Sequence, residues 1–221
     1  MSIRRVERVS FIGMHFVPAS REVLAEVLLA AGPEAPTLCA GWQTRHLAAH
    51  LVLREHSMLA AGIALKPLTP LMERELNSRA TAALDRDAYV QLVNEFKAGA
   101  PKYSPFSLPT FDRAANLSEY FIHTEDVRRA TDRWAPRVLD AKYADMLWHD
   151  LVRRASTYYR GTHVGIILVR PDGQRHVVRK AQTSVAIVGS PEELLLHASG
   201  RRDEALVTYE GSREAISLLR S

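Results

Sequence analysis

The stretch NLSEYFIHTEDVRRA, residues 116–130, decides how this chain is read. Within it Glu119 and His123 lie four positions apart, which on a helix places both side chains on one face, one turn from each other. Ala115, Ile122 and Val127 border that face, so it points inward. A carboxylate and an imidazole turned inward need a partner: an opposite charge, a hydrogen bond or a metal ion. Thr110 caps this helix, which runs to about Ala130.

Upstream, the apolar residues Val23, Leu24, Val27, Leu28 and Ala31 recur at helical spacing over 20–31, and Gly32-Pro33 stops that helix. A loop over 34–43 carries Cys39 and Trp42. Thr44 then caps a helix with apolar positions Leu47, Leu51, Met58 and Ala61, and Gly62 lies near its end. His50 sits on it among Leu47, Leu51 and the stem of Arg54. Two helices thus offer His50, Glu119 and His123 as candidate ligands of one metal ion. A hydrogen-bonded core histidine and a surface Glu/His pair are the plainer readings of the same residues.

Further helices are predicted over 71–84, over 87–99 with Asp87 as cap, and over 140–157. Pro101, Pro105 and Pro109 make 100–109 an extended loop. Past Gly161 the pattern turns to strand: Val164, Ile166 and Leu168, the turn Pro171-Asp172-Gly173, and a return over 176–180. A third strand covers 183–188. Ser190-Pro191-Glu192-Glu193 starts a helix filled by Leu194, Leu195, Leu196 and Ala198 and ended by Gly200. A strand over 205–209 and a helix capped by Ser212 close the chain. The expected fold class is α+β, with a helical domain over 1–158 and a small α+β domain over 159–221.

The stretch Leu38-Cys39-Ala40-Gly41-Trp42-Gln43-Thr44-Arg45-His46-Leu47-Ala48-Ala49-His50-Leu51 resembles the first motif of the DinB-like superfamily. More narrowly it is similar to the actinobacterial mycothiol-dependent maleylpyruvate isomerase family. There a Gly-Trp turn opens the second helix and a histidine two turns in binds zinc. Glu119 and His123 match that family's second motif, and Asp126 matches the aspartate that follows it. Residues 188–211 resemble its small C-terminal domain, which is sterol-carrier-like. The turn over 36–42 and the helix end over 123–129 are also similar to an actinobacterial branch of metal-binding proteins.

The resemblance implies a DinB-like four-helix bundle followed by that small α/β domain. It further implies a divalent metal on His50, Glu119 and His123, and a mycothiol- or other thiol-dependent transferase or isomerase. The alternative is a metal- and small-ligand-binding protein of the same fold without turnover. Two imidazoles and one carboxylate suit Zn²⁺ and leave a fourth position open, though Ni²⁺ or Fe²⁺ accept the same set. Asp126 would accept the free ring N–H of His123, or else pair with Arg129 or Arg45. Arg54 would pair with Glu119 or Asp126, or bind an anionic substrate. Arg201, at a turn of the small domain, would face the site or be solvated. No acid or base for isomerisation is assignable in 65–71 or 100–109.

Composition sets outer bounds. The chain has 221 residues, 47% of them hydrophobic and 24% charged, enough to build a core. The net charge of +4 is scattered rather than gathered in a patch, which argues against nucleic acid and toward a small anionic partner at most. The single cysteine, Cys39, excludes an internal disulfide and suits a reducing cytosol. It reads as a small buried residue before Trp42 rather than a nucleophile, because no histidine is tied to it by spacing. His46, His56, His149, His163, His176 and His197 have no partner at ligand spacing. Arg4 and Arg5 before the apolar run over 9–17 faintly resemble a secretion signal, but Gly13 and His15 interrupt it. The expectation is a cytoplasmic protein, monomeric or homodimeric, with no membrane partner.

Overall fold

Buried apolar residues at helical spacing build the N-terminal part of the chain, seen in a computed structural model that describes residues 3–56 and 69–220, with side chains over 16–56 and 70–219. Helix α1 (Ile3–Ala31) begins well upstream of the predicted start and runs through Pro18. Its inward residues Leu24, Ala25 and Leu28 are fully buried. Gly32, with φ of 79°, ends it in the left-handed conformation that glycine tolerates best. Helix α2 (Thr44–His56) follows. The residues expected to continue it, Met58, Ala61 and Gly62, lie outside the described residues, as does Pro67.

Thr44 does not cap its own helix as predicted. It is the first helical residue, and its hydroxyl donates to the Gly32 carbonyl, so it satisfies the end of α1 instead. Next come α3 (Thr69–Ala82), α4 (Arg86–Ala98) and α5 (Pro109–Arg128), with a short 3₁₀ turn at Pro105–Ser107. The cap of α4 is Asp85 rather than Asp87: its carboxylate accepts from the Ala88 amide at 2.9 Å. Pro109 occupies the first turn of α5, one residue ahead of the predicted Thr110 cap, where a missing N–H costs nothing.

Helix α1 packs on α4 and α5, and α2 on α3 and α4. The chain divides into two compact units, Met1–Pro136 and Arg137–Ser221. The division falls earlier than the expected boundary at residue 158. Helix α6 (Ala141–Tyr158), capped by Asp140, belongs to the second unit, where it packs on α7 (Pro191–Ala198). Periodicity shows that α6 has an apolar face but not which element covers it.

The second unit is built on a four-stranded sheet of order β2-β1-β3-β4, formed by Gly165–Val169, Arg175–Arg179, Ser184–Val188 and Thr208–Glu210 in chain order. The predicted hairpin joins β1 to β2, with Gly173 at φ 85° in the turn. Strand β3 then lies parallel to β1 on its other edge. Ile166, Leu168, Val185 and Ile187 are fully buried, so alternate residues of β1 and β3 form one apolar face. Gly165 is required by a close approach, because a Cβ there would stand 2.1 Å from Ser184 Oγ. In the Ser-Pro-Glu-Glu start of α7 the Ser190 side chain makes no capping bond, and Glu193 accepts from the Leu206 amide at 2.9 Å, fastening α7 to the segment that leads into β4. Helix α8 (Arg213–Arg220) is capped by Ser212, as read from the sequence. Among the described residues the architecture is therefore mixed α+β, and no helix is long and apolar enough to cross a membrane.

Inside the first unit lies a buried ion pair. Arg21 Nη1 stands 2.6 Å from Glu55 Oε2 and also donates to the Phe96 carbonyl at 2.9 Å. Its guanidinium lies over the rings of Phe96 and Tyr120, and the Tyr120 hydroxyl donates to Glu55. Breaking a buried pair by removing one partner typically costs about 3–5 kcal/mol, because the other charge is stranded. Glu55→Ala is therefore expected to lower stability by about that amount. Arg21→Met combined with Glu55→Leu should recover most of the loss. Urea-unfolding midpoints of the three proteins check this, and equal destabilisation of the single and double variants would contradict it.

Candidate metal centre

Helices α2 and α5 bring His50, Glu119 and His123 together as the sequence predicts. The meeting point is one atom. Oε1 of Glu119 lies 3.2 Å from His123 Nε2, 3.5 Å from His50 Nε2 and 3.3 Å from Arg54 Nε. The three candidate donor atoms all fall within 4.8 Å of one another. The site is buried on one side and open on the other: the side chain of His123 is 10% exposed, those of His50 and Glu119 29% and 27%. The His50 ring lies between those of Trp42 and His123, with centroids 5.3 and 5.4 Å away. Trp42, read as a packing residue, thus forms part of the wall.

The charges order the protonation states. Burial pushes His50 down, against the pull of Glu119, so it is neutral near pH 7 and able to ligate. Burial alone would raise the Glu119 carboxyl, but the hydrogen bonds from His123 and His50 outweigh it and hold Glu119 well below the usual carboxylate range. Burial would lower His123 too. Its contacts with Asp126, Cys39 and Glu119 prevail, and the imidazolium persists well above its ordinary range. A cation taken at Nε2 displaces that proton.

Around the three candidate ligands lies a set of supporting groups. Asp126 is fully buried, and its Oδ2 stands 2.8 Å from His123 Nδ1. That contact fixes the ring so that Nε2 faces Glu119. Arg129 Nε lies 2.7 Å from Glu125 Oε2, a partner on its own helix. Arg54 has its donors engaged within the bundle. Besides Glu119 it reaches the Asn116 amide oxygen and, at 2.8 Å, the Ala115 carbonyl, with its guanidinium over the Phe106 ring. Asn116 in turn donates to Asp112 at 2.6 Å, and Asp112 lies 3.6 Å from Arg21. A continuous polar chain thus links the candidate ligand Glu119 to the buried Arg21–Glu55 pair. Of the two pairings expected for Arg54, the one with Glu119 is formed. Arg201 belongs to the second unit, where its Nη1 donates to the Ser199 carbonyl at 2.6 Å.

Cys39 is where the reading from sequence fell short. It is half-buried, and its Sγ lies 3.2 Å from Asp126 Oδ2, the same oxygen that meets His123. The turn that carries it is tied to α5 by the Leu38 amide, which donates to the Asp126 carbonyl at 2.9 Å. That carbonyl lies in the last turn of α5, where intrahelical donors run out. Gly41, with φ of 75°, and a bond from the Thr37 hydroxyl to the Trp42 carbonyl at 2.8 Å shape the rest of the turn. The contact joins residues 87 apart, and no spacing in the sequence could signal it.

No family model matches the chain, and no curated protein matches it in sequence. Among solved structures it is similar to the mycothiol-dependent maleylpyruvate isomerase, with a TM-score of 0.60 and 15% identity over 91% of this chain and 92% of that one. A histidine-to-alanine variant of the same enzyme matches with a TM-score of 0.63 at the same identity and coverage. The chain therefore has the fold of mycothiol-dependent maleylpyruvate isomerase, the fold implied by the turn before His50 and the Glu119–His123 pair.

Proposed function

We propose that this chain is a metal-binding protein in which a divalent cation on His50, Glu119 and His123 activates a low-molecular-weight thiol such as mycothiol for a transfer or isomerisation. The observation that carries the reading is the convergence of two imidazoles and one carboxylate from two helices, with donor atoms within 4.8 Å. Around a tetrahedral ion with bonds of about 2.0–2.2 Å, such donors stand roughly 3.4 Å apart, close to the 3.2 and 3.5 Å seen here. Three ligands leave a fourth position, and the partial exposure of His50 and Glu119 places solvent beside it. That is the donor set of catalytic rather than structural zinc, although nickel and iron accept it as well. The shared fold supports the thiol, since the similar enzyme is mycothiol-dependent.

A bound divalent cation would supply the charge that ionises a thiol of ordinary pKa near 8.5, only a few per cent thiolate at pH 7, and so raise its reactive fraction roughly thirtyfold. The chain's own residues do the rest. Asp126 holds the His123 ring, and Arg54 holds Glu119 in line with both imidazoles. Trp42 packs its ring beside that of His50. The titratable residues of 100–109, Lys102 and Tyr103, are exposed and neither is assigned to a substrate proton, so the proposal extends to thiol activation and not to a particular substrate.

Elemental mass spectrometry on the untagged protein tests the site. About one divalent ion per chain is expected, lost in His123→Ala, and no metal in either protein after incubation with zinc would sink the reading. Asp126→Asn should keep the fold yet weaken metal affinity by about 10–100-fold, as measured by competition with a chromophoric chelator. An unchanged affinity would remove Asp126 from the site. Cobalt-substituted protein should show a changed visible spectrum on adding mycothiol, and an unaltered spectrum at saturating thiol would leave the metal without a thiol partner.

A further inference from the structure

His123 presents its two ring nitrogens to two different groups of side chains. Nε2 faces Glu119 and His50. Nδ1 lies 2.8 Å from Asp126 Oδ2, and Cys39 Sγ lies 3.2 Å from that same oxygen. The donor atoms of Cys39, His123 and Asp126 all fall within 4.8 Å of one another, as those of the first set do. Around a tetrahedral ion bonded to sulfur at about 2.3 Å and to nitrogen or oxygen at about 2.0 Å, donors stand roughly 3.5 Å apart. A cation can therefore seat among the three with side-chain shifts of about an ångström.

The second set is also fixed in place. Asp126 is fully buried on α5, and the backbone bond from Leu38 to Asp126 holds the Cys39 turn against it. Cys39 is half-buried, which gives access from solvent. Its donors are softer than those of the first set, because a thiolate replaces an imidazole. Thiolate ligands select zinc, cadmium and cuprous copper over magnesium, calcium or manganese.

We propose that Cys39, Asp126 and Nδ1 of His123 form a second metal locus for a thiophilic d¹⁰ cation such as Zn²⁺ or Cd²⁺, sharing the His123 ring with the first. Binding there releases two protons to solvent, one from the Cys39 thiol and one from Nδ1. With both loci filled the ring bridges them as imidazolate, so occupancy of one changes the donor strength of the other. The proposal shares His123 with the function proposed above but does not need His50 or Glu119.

Cadmium titration of the metal-free full-length chain tests it, with metal bound per chain and sulfur-to-cadmium charge-transfer absorption followed together. Cys39 is the only cysteine, so a thiolate band can arise from no other residue. Two equivalents are expected, one of them bringing the band. Cys39→Ser should bind one equivalent without the band, with its helical circular dichroism unchanged. His50→Ala should keep the band and lose the other equivalent. One equivalent in the parent protein, with a band that His50→Ala leaves untouched, would uphold this locus while removing the first. Absence of the band at saturating cadmium would overturn the proposal however many equivalents bind.

Discussion

A single carboxylate oxygen organises the helical unit. Oε1 of Glu119 is approached by two imidazoles and a guanidinium, at 3.2, 3.5 and 3.3 Å. A carboxylate in such a place must find positive charge or a hydrogen-bond donor, and two of its three partners, His50 and Arg54, reach it from α2. His50 and Arg54 lie one turn apart on α2, so the helix must present the same face to Glu119 along that turn. Arg54 passes the constraint on through Asn116 and Asp112 to Arg21 and Glu55. The apolar core between the helices tolerates small slides, but this chain of charges has one register. The same residues that make the bundle specific thereby aim the ligands.

What the sequence disclosed follows from what is local. Glu119 and His123 are one turn apart, so their shared face could be read directly, and His50 could be added from the apolar positions around it. Helix ends were legible where glycine or proline fixes them, as at Gly32, Gly99 and Pro191. Caps were less so. Thr44 and Asp87 are both good capping residues by type, yet Thr44 serves the helix before its own and Asp85 takes the place of Asp87. A side-chain oxygen goes to whichever backbone group lies unsatisfied nearby, and that depends on the path of the chain around it.

The features that escaped are those set by distance in sequence. Amphipathicity shows that α6 must bury a face, but the sheet and the bundle each offer an apolar surface to cover it. The contact of Cys39 with Asp126 joins the first loop to the end of α5. A small residue before a Gly-Trp turn looks like packing, and only the fold shows that its sulfur shares an Asp126 oxygen with His123. The Ser-Pro-Glu-Glu signal was right about where α7 starts, but it gave no sign that Glu193 also reaches the Leu206 amide.

The bond from the Leu38 amide to the Asp126 carbonyl has a bearing on motion. Local opening proceeds in cooperative units, and a backbone bond between a loop and a helix end merges the two into one. The loop between α1 and α2 would otherwise fray on its own, as exposed connections do. Fastened here, it loosens only when the last turn of α5 does, and that turn carries Asp126 on its inner side. Exchange of the Leu38 amide with solvent deuterium would therefore report the opening of the helix turn that carries Asp126.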